Sequence, residues 1–290
     1  MPLREADSMR LDELIAPIGA LATLTCATPS AAQTQVTQLA YDSRCVHPGT
    51  LFFCVSGFKR DGHDFAEQAL ADGAVALVLE RRLNLGVPEI LVASTRAAMA
   101  PIAARFYGDP SSQLAVIGIT GTNGKTTTAF LVRALLQAQG TQCGLLGTVR
   151  SVIGGVEHAA VRTTPEAIDL HGTLRAMLDG GDRACAMEVS SHALALDRAA
   201  EVHFASAVFT NLTQDHLDFH SSMEDYFQTK RRLFIGPAAG HQSSGPSVIN
   251  IDDPYGRRLA DELQQTVTYA IDCEADYRAR IVKMDRYGAQ

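Results

Sequence analysis

The sequence predicts an α/β protein with a mostly parallel sheet, and three observations lead to this prediction. Short apolar runs alternate with helical segments along the chain, which is typical of helices layered on a parallel sheet. A glycine-rich turn at 121–124 joins one such run to a helix. The 290 residues are 46% hydrophobic, which is enough for one large or two ordinary domains.

Composition and charge narrow the classes of function. The formal net charge is -7, so the chain lacks the basic character of a nucleic-acid-binding protein. Its six cysteines have neither C-x-x-C nor metal spacing, as expected for reduced thiols of the cytosol. The N-terminus lacks the apolar segment of a secretory signal, and no apolar run is long enough to span a membrane. We therefore expect a cytoplasmic protein that binds no nucleic acid and does not insert into a membrane.

The first third of the chain predicts a small α/β domain. Apolar β-like runs lie at 51–57, 74–80 and 89–94, and helical patterns lie at 63–73 and 94–108. Gly73 is expected to follow the end of the first helix, since glycine readily adopts the left-handed conformation found there. The Gly/Pro/Ser-rich stretch 107–114 breaks the pattern. We therefore place domains at 1–110 and 111–290.

The second domain resumes the alternation of strands and helices. The apolar runs lie at 114–120, 142–149, 184–190, 203–210 and 247–251, the helices at 126–139 and 221–234, and a loop at 236–247. The last stretch, 277–290, begins as an alternating strand and then stops. A sheet ending there would keep an open edge, so we expect a chain cut short relative to a longer protein.

Residues 121–127 predict a phosphate-binding loop, because a β-like run precedes them and a helix follows. Backbone N–H groups and the helix dipole would hold phosphate oxygens, Lys125 would add a positive charge, and Thr126 would ligate Mg²⁺. The loop departs from the general pattern at Ile119, where that pattern has glycine. A plain glycine turn is the alternative, but the adjacent Lys-Thr pair favours nucleotide binding. The predicted ATP-binding residues are Gly121, Thr122, Asn123, Gly124, Lys125, Thr126 and Thr127.

Polar clusters follow two further apolar runs, at the position where open α/β sheets form their sites. The first contains Glu188, Ser190, Ser191 and His192, and the second contains Asn211, Asp215, His216, Asp218 and His220. A helix cap with a satisfied core histidine is the structural alternative for the first cluster. Zinc spacing is absent, and oxygen-rich ligands near a nucleotide favour Mg²⁺. By periodicity alone, Lys230 and its two arginine neighbours indicate a solvated basic patch on the helix.

Taken together, these segments resemble the Mur ligases between about residues 41 and 253. The matching segments, in order, are DSRCVHPGTLFF, DGHDF, TGTNGKTTT, TTPEA, MEVSSHAL, FTNLTQDHLDFH, DYFQTKRRLF and VINIDD. The shortened loop is itself similar to the ATP loop of Mur ligases and folylpolyglutamate synthetases, so the departure at Ile119 marks a subtype. The resemblance implies a UDP-binding N-terminal domain and a central ATP-binding domain, with a third domain absent.

The implied activity is that of an ATP-dependent amide ligase in peptidoglycan precursor synthesis. Its substrates would be UDP-MurNAc-L-Ala-D-Glu and a diamino acid, with meso-diaminopimelate preferred over L-lysine. ATP would phosphorylate the free carboxylate of the D-Glu residue, and the amine would attack the acyl phosphate. This chemistry needs charge neutralisation and positioning above all. A monomer is expected, and without the third domain we expect the chain to lack full turnover.

The resemblance also implies roles for single residues. Lys125, Glu188, His216 and Lys230 would be catalytic, and Thr126, Glu188, His216 and Lys230 would lie at the metals, with Lys230 carbamylated by CO₂. Carbamylation turns a cation into an anionic ligand and replaces the basic-patch interpretation. Tyr41, Ser43 and the 58–60 turn would bind the UDP end, and Thr163, Thr164, Ser190 and Arg198 would hold the peptide and its carboxylates.

Three alternatives remain open at this point. A folylpolyglutamate synthetase would share the loop, but the DSRCVHPGTLFF segment argues against it. A nucleotide-binding module without catalysis would bind ATP and form no acyl phosphate. A P-loop kinase or GTPase has little support, because the loop is short and no base-specificity motif is present.

Overall fold

The computed structural model describes residues 8–25, 29–57, 60–235, 245–280, 284–285 and 288–289. The chain forms two compact units. The first contains residues 1–110, 165–176 and 196–201, and the second contains 111–164, 177–195 and 202–290. Phe58 and Lys59 of the predicted UDP turn, and residues 236–244 of the predicted loop, lie outside the described residues.

The first unit is built on a five-stranded sheet. Its helices and strands are β1 (Met9–Arg10), α1 (Leu11–Ile15), β2 (Ala22–Thr25), β3 (Gln35–Val36), β4 (Gln38–Ala40), β5 (Thr50–Phe53), α2 (Ala66–Ala71), β6 (Ala74–Leu79), β7 (Glu89–Val92) and α3 (Thr95–Phe106). The strand order is β2-β7-β6-β5-β4, with only the β2–β7 pair antiparallel. Strands β1 and β3 form a separate antiparallel pair.

Both faces of this sheet are covered. Leu51 and Phe53 pack in one hydrophobic cluster with residues of α1 and α3, while Phe52 and Leu77 pack in another with residues of α2. Successive side chains of a strand point to opposite faces, so a strand buried on both faces is apolar throughout. This arrangement explains why the predicted strands of this unit are continuous apolar runs.

The second unit is built on a nine-stranded sheet. Its elements are β8 (Ala115–Thr120), α4 (Lys125–Ala138), β9 (Cys143–Leu146), β10 (Arg150–Ile153), β11 (Val156–Ala159), α5 (Ala167–Asp179), β12 (Ala184–Glu188), α6 (Ser191–Ala195), β13 (Phe204–Phe209), α7 (Met223–Arg231), β14 (Ser247–Asn250), α8 (Pro254–Glu262), β15 (Thr266–Ala270), β16 (Tyr277–Arg278), β17 (Met284–Asp285) and β18 (Gly288–Ala289). The first part of α5 belongs to the first unit.

The sheet of the second unit is mostly parallel. Its strand order is β11-β10-β9-β12-β8-β13-β14-β15-β16. The strands from β9 to β16 in this order run parallel, and the hairpin β10–β11 adds two antiparallel strands at one end. The predicted α/β class with a mostly parallel sheet is therefore confirmed.

The predicted strands and helices are found with small differences in their ends. The helical pattern 63–73 is a 3-10 turn (Gly62–Phe65) followed by α2, and Gly73 lies just beyond with φ +110°. Helix α7 starts only after Ser222, whose hydroxyl accepts from the backbone N–H of Asp225 at 3.1 Å. Such a cap fixes the first helical residue. The strand predicted to begin at 277 is β16, and the pair β17–β18 follows; residues 281–283, 286–287 and 290 lie outside the described residues.

In the parts of the chain that are described, no helix combines the length and apolar character that crossing a membrane requires.

Candidate nucleotide and metal site

Polar residues of the second unit lie at the ends of neighbouring parallel strands. The phosphate loop follows β8, Glu188 ends β12, Thr148 lies just after β9, and Thr210 follows β13. The carboxyl ends of parallel strands meet at one edge of a sheet, where α/β proteins form their binding sites. The order β9-β12-β8-β13 therefore brings these four segments side by side.

The phosphate loop requires its glycines for steric reasons. Gly121 has φ +142° and Gly124 has φ +82°, both in regions that side chains disfavour. A Cβ at Gly121 would lie 1.9 Å from Thr210 Oγ1. Gly124 precedes the first residue of α4, and no side chain caps that helix start. The 14-residue α4 thus begins at the loop with backbone N–H groups suited to phosphate oxygens.

Residues after β13 hold the loop in shape. The Asn123 backbone N–H donates to Asn211 Oδ1 at 3.0 Å, and Asn211 Nδ2 donates to the Asn123 carbonyl at 3.1 Å. The Thr210 hydroxyl donates to the same carbonyl at 2.7 Å. These bonds fix the shape of the loop through contacts within the chain.

Two lysines converge on one carbonyl oxygen of the loop. Lys125 Nζ donates to Gly121 O at 3.0 Å and to Thr122 O at 2.8 Å, and Lys230 Nζ donates to Gly121 O at 2.9 Å. Lys230 is only 1% exposed, and its ammonium lies 4.6 Å from the centroid of the Tyr226 ring. Burial, followed by the charge of Lys125, lowers the pKa of Lys230 well below its usual value, and burial also lowers the pKa of Lys125. Two lysine amines at one oxygen, one buried and one half-buried, favour an anion at this place.

Glu188 is held in a fixed orientation at the end of β12. The carboxylate accepts from Thr126 Oγ1 at 2.9 Å, from the Thr148 N–H at 2.9 Å and from Thr148 Oγ1 at 3.1 Å. A Cβ at Gly147 would lie 2.3 Å from Glu188 Oε1, so the close approach of that segment requires glycine. Thr126 and Glu188 are therefore in contact, as expected for ligands of one cation.

His216 lies in a cluster of rings. Its ring centroid is 5.0 Å from that of His192 and 6.1 Å from that of Tyr226, and its φ is +54°. Tyr226 connects this cluster to the loop, because its hydroxyl lies 3.3 Å from Thr122 Oγ1. Among the residues that the structure describes, no three His, Cys, Asp or Glu side chains form a metal-binding group. The oxygens of Thr126 and Glu188 suit Mg²⁺, whereas the ammonium of Lys230 is not a ligand unless it is converted into a carbamate.

Three predicted substrate residues of the second unit gather around Glu188. Thr164 Oγ1 donates to the Glu188 carbonyl at 2.9 Å and accepts from the Ser190 N–H at 3.2 Å. Thr163 Oγ1 lies 3.1 Å from Thr148 Oγ1. The Ser190 hydroxyl accepts from the Ala193 N–H at 3.2 Å. The side chains proposed for peptide and for metal thus share one hydrogen-bonded group.

The predicted residues of the first unit have partners within that unit. The Tyr41 hydroxyl donates to Asp169 Oδ2 at 2.6 Å. Ser43 begins the 3-10 turn Ser43–Cys45 and is half-buried. Arg198 lies 2.9 Å from Glu166 Oε1, and Arg96 lies 3.2 Å from Glu166 Oε2. The fork of Arg198, expected to bind a substrate carboxylate, is thus already oriented by a carboxylate of the chain.

Sequence reasoning missed three residues of this edge: Gly147, Thr148 and Thr210. Their only signal in the sequence is their position, because each lies near the end of a predicted apolar run. Small polar residues at strand ends are common, so the pattern alone gives no role.

The fold and this edge define the class of protein: an α/β protein whose central sheet carries a P-loop-type glycine turn beside an acidic strand end. The chain belongs to the Mur ligase family. Residues 119–290 match the Mur ligase middle domain, and residues 35–107 match the model described as Mur ligase family, catalytic domain.

Two curated proteins that are similar in sequence to this chain have the same name. The UDP-N-acetylmuramoyl-L-alanyl-D-glutamate–2,6-diaminopimelate ligase of Clostridium perfringens (strain 13 / Type A) is 40% identical over 266 residues, covering 89% of this chain and 54% of the relative. The ligase of that name from Geobacillus thermodenitrificans (strain NG80-2) is 45% identical over 252 residues, covering 86% and 52%. This chain therefore spans about half the length of these curated relatives.

Solved structures agree with the fold. A structure of a ligase with the same name has a TM-score of 0.78 at 25% identity and covers 98% of this chain and 59% of its own. A MurF ligase from Thermotoga maritima in complex with ADP has a TM-score of 0.58 at 22% identity, covering 81% of this chain and 51% of its own. At that identity the second match supports the fold alone.

Proposed function

We propose that this chain carries the UDP-substrate-binding and ATP-binding parts of an ATP-dependent amide ligase of peptidoglycan precursor synthesis. The ligase joins a diamino acid, meso-diaminopimelate, to UDP-MurNAc-L-Ala-D-Glu. The relatives at 40% and 45% identity are named for this reaction, and they extend well beyond the length matched here. In this proposal, residues 1–110 form the domain that binds the UDP end of the substrate, and residues 111–290 form the domain that binds ATP.

The observation that carries the proposal is the pair of lysines at Gly121 O beside the start of α4, of which Lys230 is buried and Lys125 half-buried. Transfer of the terminal phosphoryl group of ATP to a carboxylate brings two anions together, so positive charge is the first requirement. Lys125 supplies it at the terminal phosphates, and N–H groups at the start of α4 hold the phosphate oxygens, whereas those of Thr122 and Asn123 donate to Asn211.

The acyl phosphate then reacts with the incoming amine. The carboxylate oxygen of D-Glu bonds to phosphorus and ADP leaves; the amine nitrogen then bonds to the acyl carbon, and phosphate leaves with that oxygen. When bound, Mg²⁺ neutralises charge on the phosphates. Thr126 and Glu188 would hold it, together with His216 and Lys230 as a carbamate. A lysine with a lowered pKa is more often the neutral amine that reacts with CO₂.

Substrate roles are proposed for residues of both units. Tyr41 and Ser43 bind the UDP end, and Thr163, Thr164 and Ser190 bind the peptide. Arg198 binds a carboxylate of the peptide through its planar fork. The protein acts as a monomer in the cytoplasm.

An isotope experiment tests the reaction. The free carboxylate of UDP-MurNAc-L-Ala-D-Glu is labelled with oxygen-18, and a form of the protein that extends over the full length of its relatives is incubated with ATP, Mg²⁺ and meso-diaminopimelate. One labelled oxygen is expected in the released phosphate, because the acyl phosphate transfers it. ADP formation without label in phosphate would contradict the mechanism, and acceptance of a folate in place of the UDP-peptide would favour a folylpolyglutamate synthetase.

A variant tests the nucleotide site. Lys125→Met is expected to weaken binding of a non-hydrolysable ATP analogue at least about tenfold, since a charge-assisted hydrogen bond is lost. Isothermal titration calorimetry measures this affinity. Arg105→Met is the control, because it removes one exposed positive charge from α3. Equal affinities of the two variants would argue against the assigned site.

A spectroscopic measurement tests the carbamate. Protein kept in ¹³C-bicarbonate is expected to give a carbamate carbon signal that Lys230→Arg abolishes. A signal that persists in Lys230→Arg would show that another amine carries the carbamate. If the wild-type protein gives no signal, Lys230 is not a metal ligand of the proposed kind.

A further inference from the structure

Thr148 binds the Glu188 carboxylate through two of its groups. Its backbone N–H donates to Glu188 Oε1 at 2.9 Å, and its hydroxyl lies 3.1 Å from Glu188 Oε2. One residue therefore contacts both oxygens of a carboxylate that is itself 1% exposed. A carboxylate held at both oxygens cannot rotate about its last bond without losing a hydrogen bond.

The direction of the hydrogen bonds follows from the acceptor. An ionised carboxylate only accepts, so the single hydroxyl hydrogen of Thr148 points to Glu188 Oε2. Thr148 Oγ1 also lies 3.1 Å from Thr163 Oγ1, and its hydrogen is already used. The Thr163 hydroxyl must therefore donate to Thr148. This donation keeps Thr148 Oγ1 from turning toward water, although Thr148 itself is exposed.

The neighbouring segment is shaped for this contact. Gly147 leaves room for Glu188 Oε1, because a Cβ would lie 2.3 Å from that atom. On the other side, Thr126 Oγ1 donates to Oε2 at 2.9 Å. Residues from three parts of the chain, after β8, after β9 and at the end of β12, thus set one carboxylate orientation.

We propose that Thr148 is a positioning residue, which fixes Glu188 in the orientation needed to bind the metal–nucleotide complex. The proposal rests on the proposed function, because it assumes that Glu188 faces a metal. Thr148 acts on the metal through Glu188. Thr163 does not contact the Glu188 side chain and acts through its hydrogen bond to Thr148. Loss of the Thr148 hydroxyl should weaken metal–nucleotide binding by a larger factor than it weakens binding of the UDP-peptide, for which only the hydrogen bond between Thr148 and Thr163 is lost.

The test uses Mn²⁺ in place of Mg²⁺. Electron paramagnetic resonance measures Mn²⁺ affinity in the presence of a non-hydrolysable ATP analogue, and calorimetry measures the affinity for UDP-MurNAc-L-Ala-D-Glu. Thr148→Val keeps the branched shape and removes the hydroxyl, and it should raise the Mn²⁺ Kd at least about tenfold, the order expected for a hydrogen bond to a charged group. Thr148→Ser should restore the wild-type value. Thr163→Val should raise the Mn²⁺ Kd less than Thr148→Val does.

Thr173→Val is the matched control, because it removes a hydroxyl that donates to the Asp169 carbonyl at 2.7 Å within α5. It should leave the Mn²⁺ Kd unchanged. A wild-type Mn²⁺ Kd in Thr148→Val, or a Thr148→Ser variant as weak as Thr148→Val, would overturn the positioning role while the proposed function stands. Wild-type protein that binds neither Mn²⁺ with nucleotide nor UDP-peptide would overturn both. A fall of both affinities by the same factor in Thr148→Val would indicate general damage and also overturn the role.

Discussion

At the scale of single residues, one buried carboxylate, that of Glu166, pairs with two arginine side chains. Glu166 is shared between Arg96 and Arg198, with side-chain exposures of 7%, 23% and 15%. A carboxylate shared by two guanidinium groups fixes both of them, at the cost of desolvating three charged groups. The arrangement holds Arg198 rigidly, which suits a residue proposed to bind a planar carboxylate.

Glu166→Ala is expected to lower the free energy of unfolding by about 2–3 kcal/mol, because two largely buried guanidinium groups lose their shared partner. Urea denaturation measures the change. Glu157→Ala removes the exposed partner of Arg150 and should cost at most about 0.5 kcal/mol. If the two variants lose equal stability, the shared ion pair contributes nothing beyond a surface contact.

Single residues also show how far the sequence can predict the site. Lys125 and Thr126 were predicted from the strand–turn–helix context, which is local. Periodicity placed Lys230 in a solvated patch, and that interpretation is wrong, since the residue is 1% exposed. Helical spacing predicts which residues share a face of the helix. It does not predict that this face contacts Gly121, which is 109 residues away in the sequence. Such a contact depends on the order of strands in the sheet, which local patterns do not give; the resemblance to a family supplied only the expected role of Lys230 at the metals.

At the scale of elements, the unit of strand β8, loop and helix α4 depends on its neighbour β13. Thr210 lies where any side chain at position 121 would go. Loop shape and strand pairing are therefore linked, since a change at Gly121 must displace either the loop or the start of the segment after β13.

Gly121→Ala is expected to lower the free energy of unfolding by about 3 kcal/mol, through a steric clash and an unfavourable φ. Gly155→Ala is the control, because it shares a positive φ of +81° but has nothing within 4 Å of the added Cβ. That variant should cost about 1 kcal/mol. Chemical denaturation followed by circular dichroism measures the free energy of unfolding of both variants. Equal decreases would show that the Thr210 side chain shifts away from the added methyl group at little cost.

Elements were predicted from sequence where their hydrophobic pattern was strong. The buried strands β5, β6, β8, β12 and β13 are continuous apolar runs, and each was located within a few residues. The hairpin β10–β11 was not predicted, because residues such as Glu157 and His158 give β11 no apolar face. Its pairing depends on β9 beside it, which no local pattern reveals.

At the scale of the whole molecule, buried thiols lie in both units. Cys54 is fully buried in the first unit, and Cys143 and Cys185 are buried in the second, whereas Cys45 is exposed. Burial raises the pKa of the Cys54 thiol to about 12 and that of Cys185 well above its usual value. These thiols are therefore separate reporters of the folded state of each unit.

Iodoacetamide at pH 8 is expected to label Cys45 rapidly and the three buried thiols at least about a hundredfold more slowly, because the reactive thiolate is scarce and shielded. Mass spectrometry of peptides gives each rate. In increasing urea, Cys54 should become reactive when the first unit unfolds, and Cys143 and Cys185 together when the second does. Rapid labelling of Cys185 in the native protein would contradict the packing of β12.

The position of β8 at the middle of its sheet has a consequence for how the protein is made. Both strands that pair with β8, namely β12 and β13, come later in the chain. A growing chain therefore presents the loop at 121–124 long before residues 210 and 211, which hold it in shape, leave the ribosome. The phosphate loop is among the first parts of the second unit to be synthesised and cannot take its final form until almost a hundred more residues have followed.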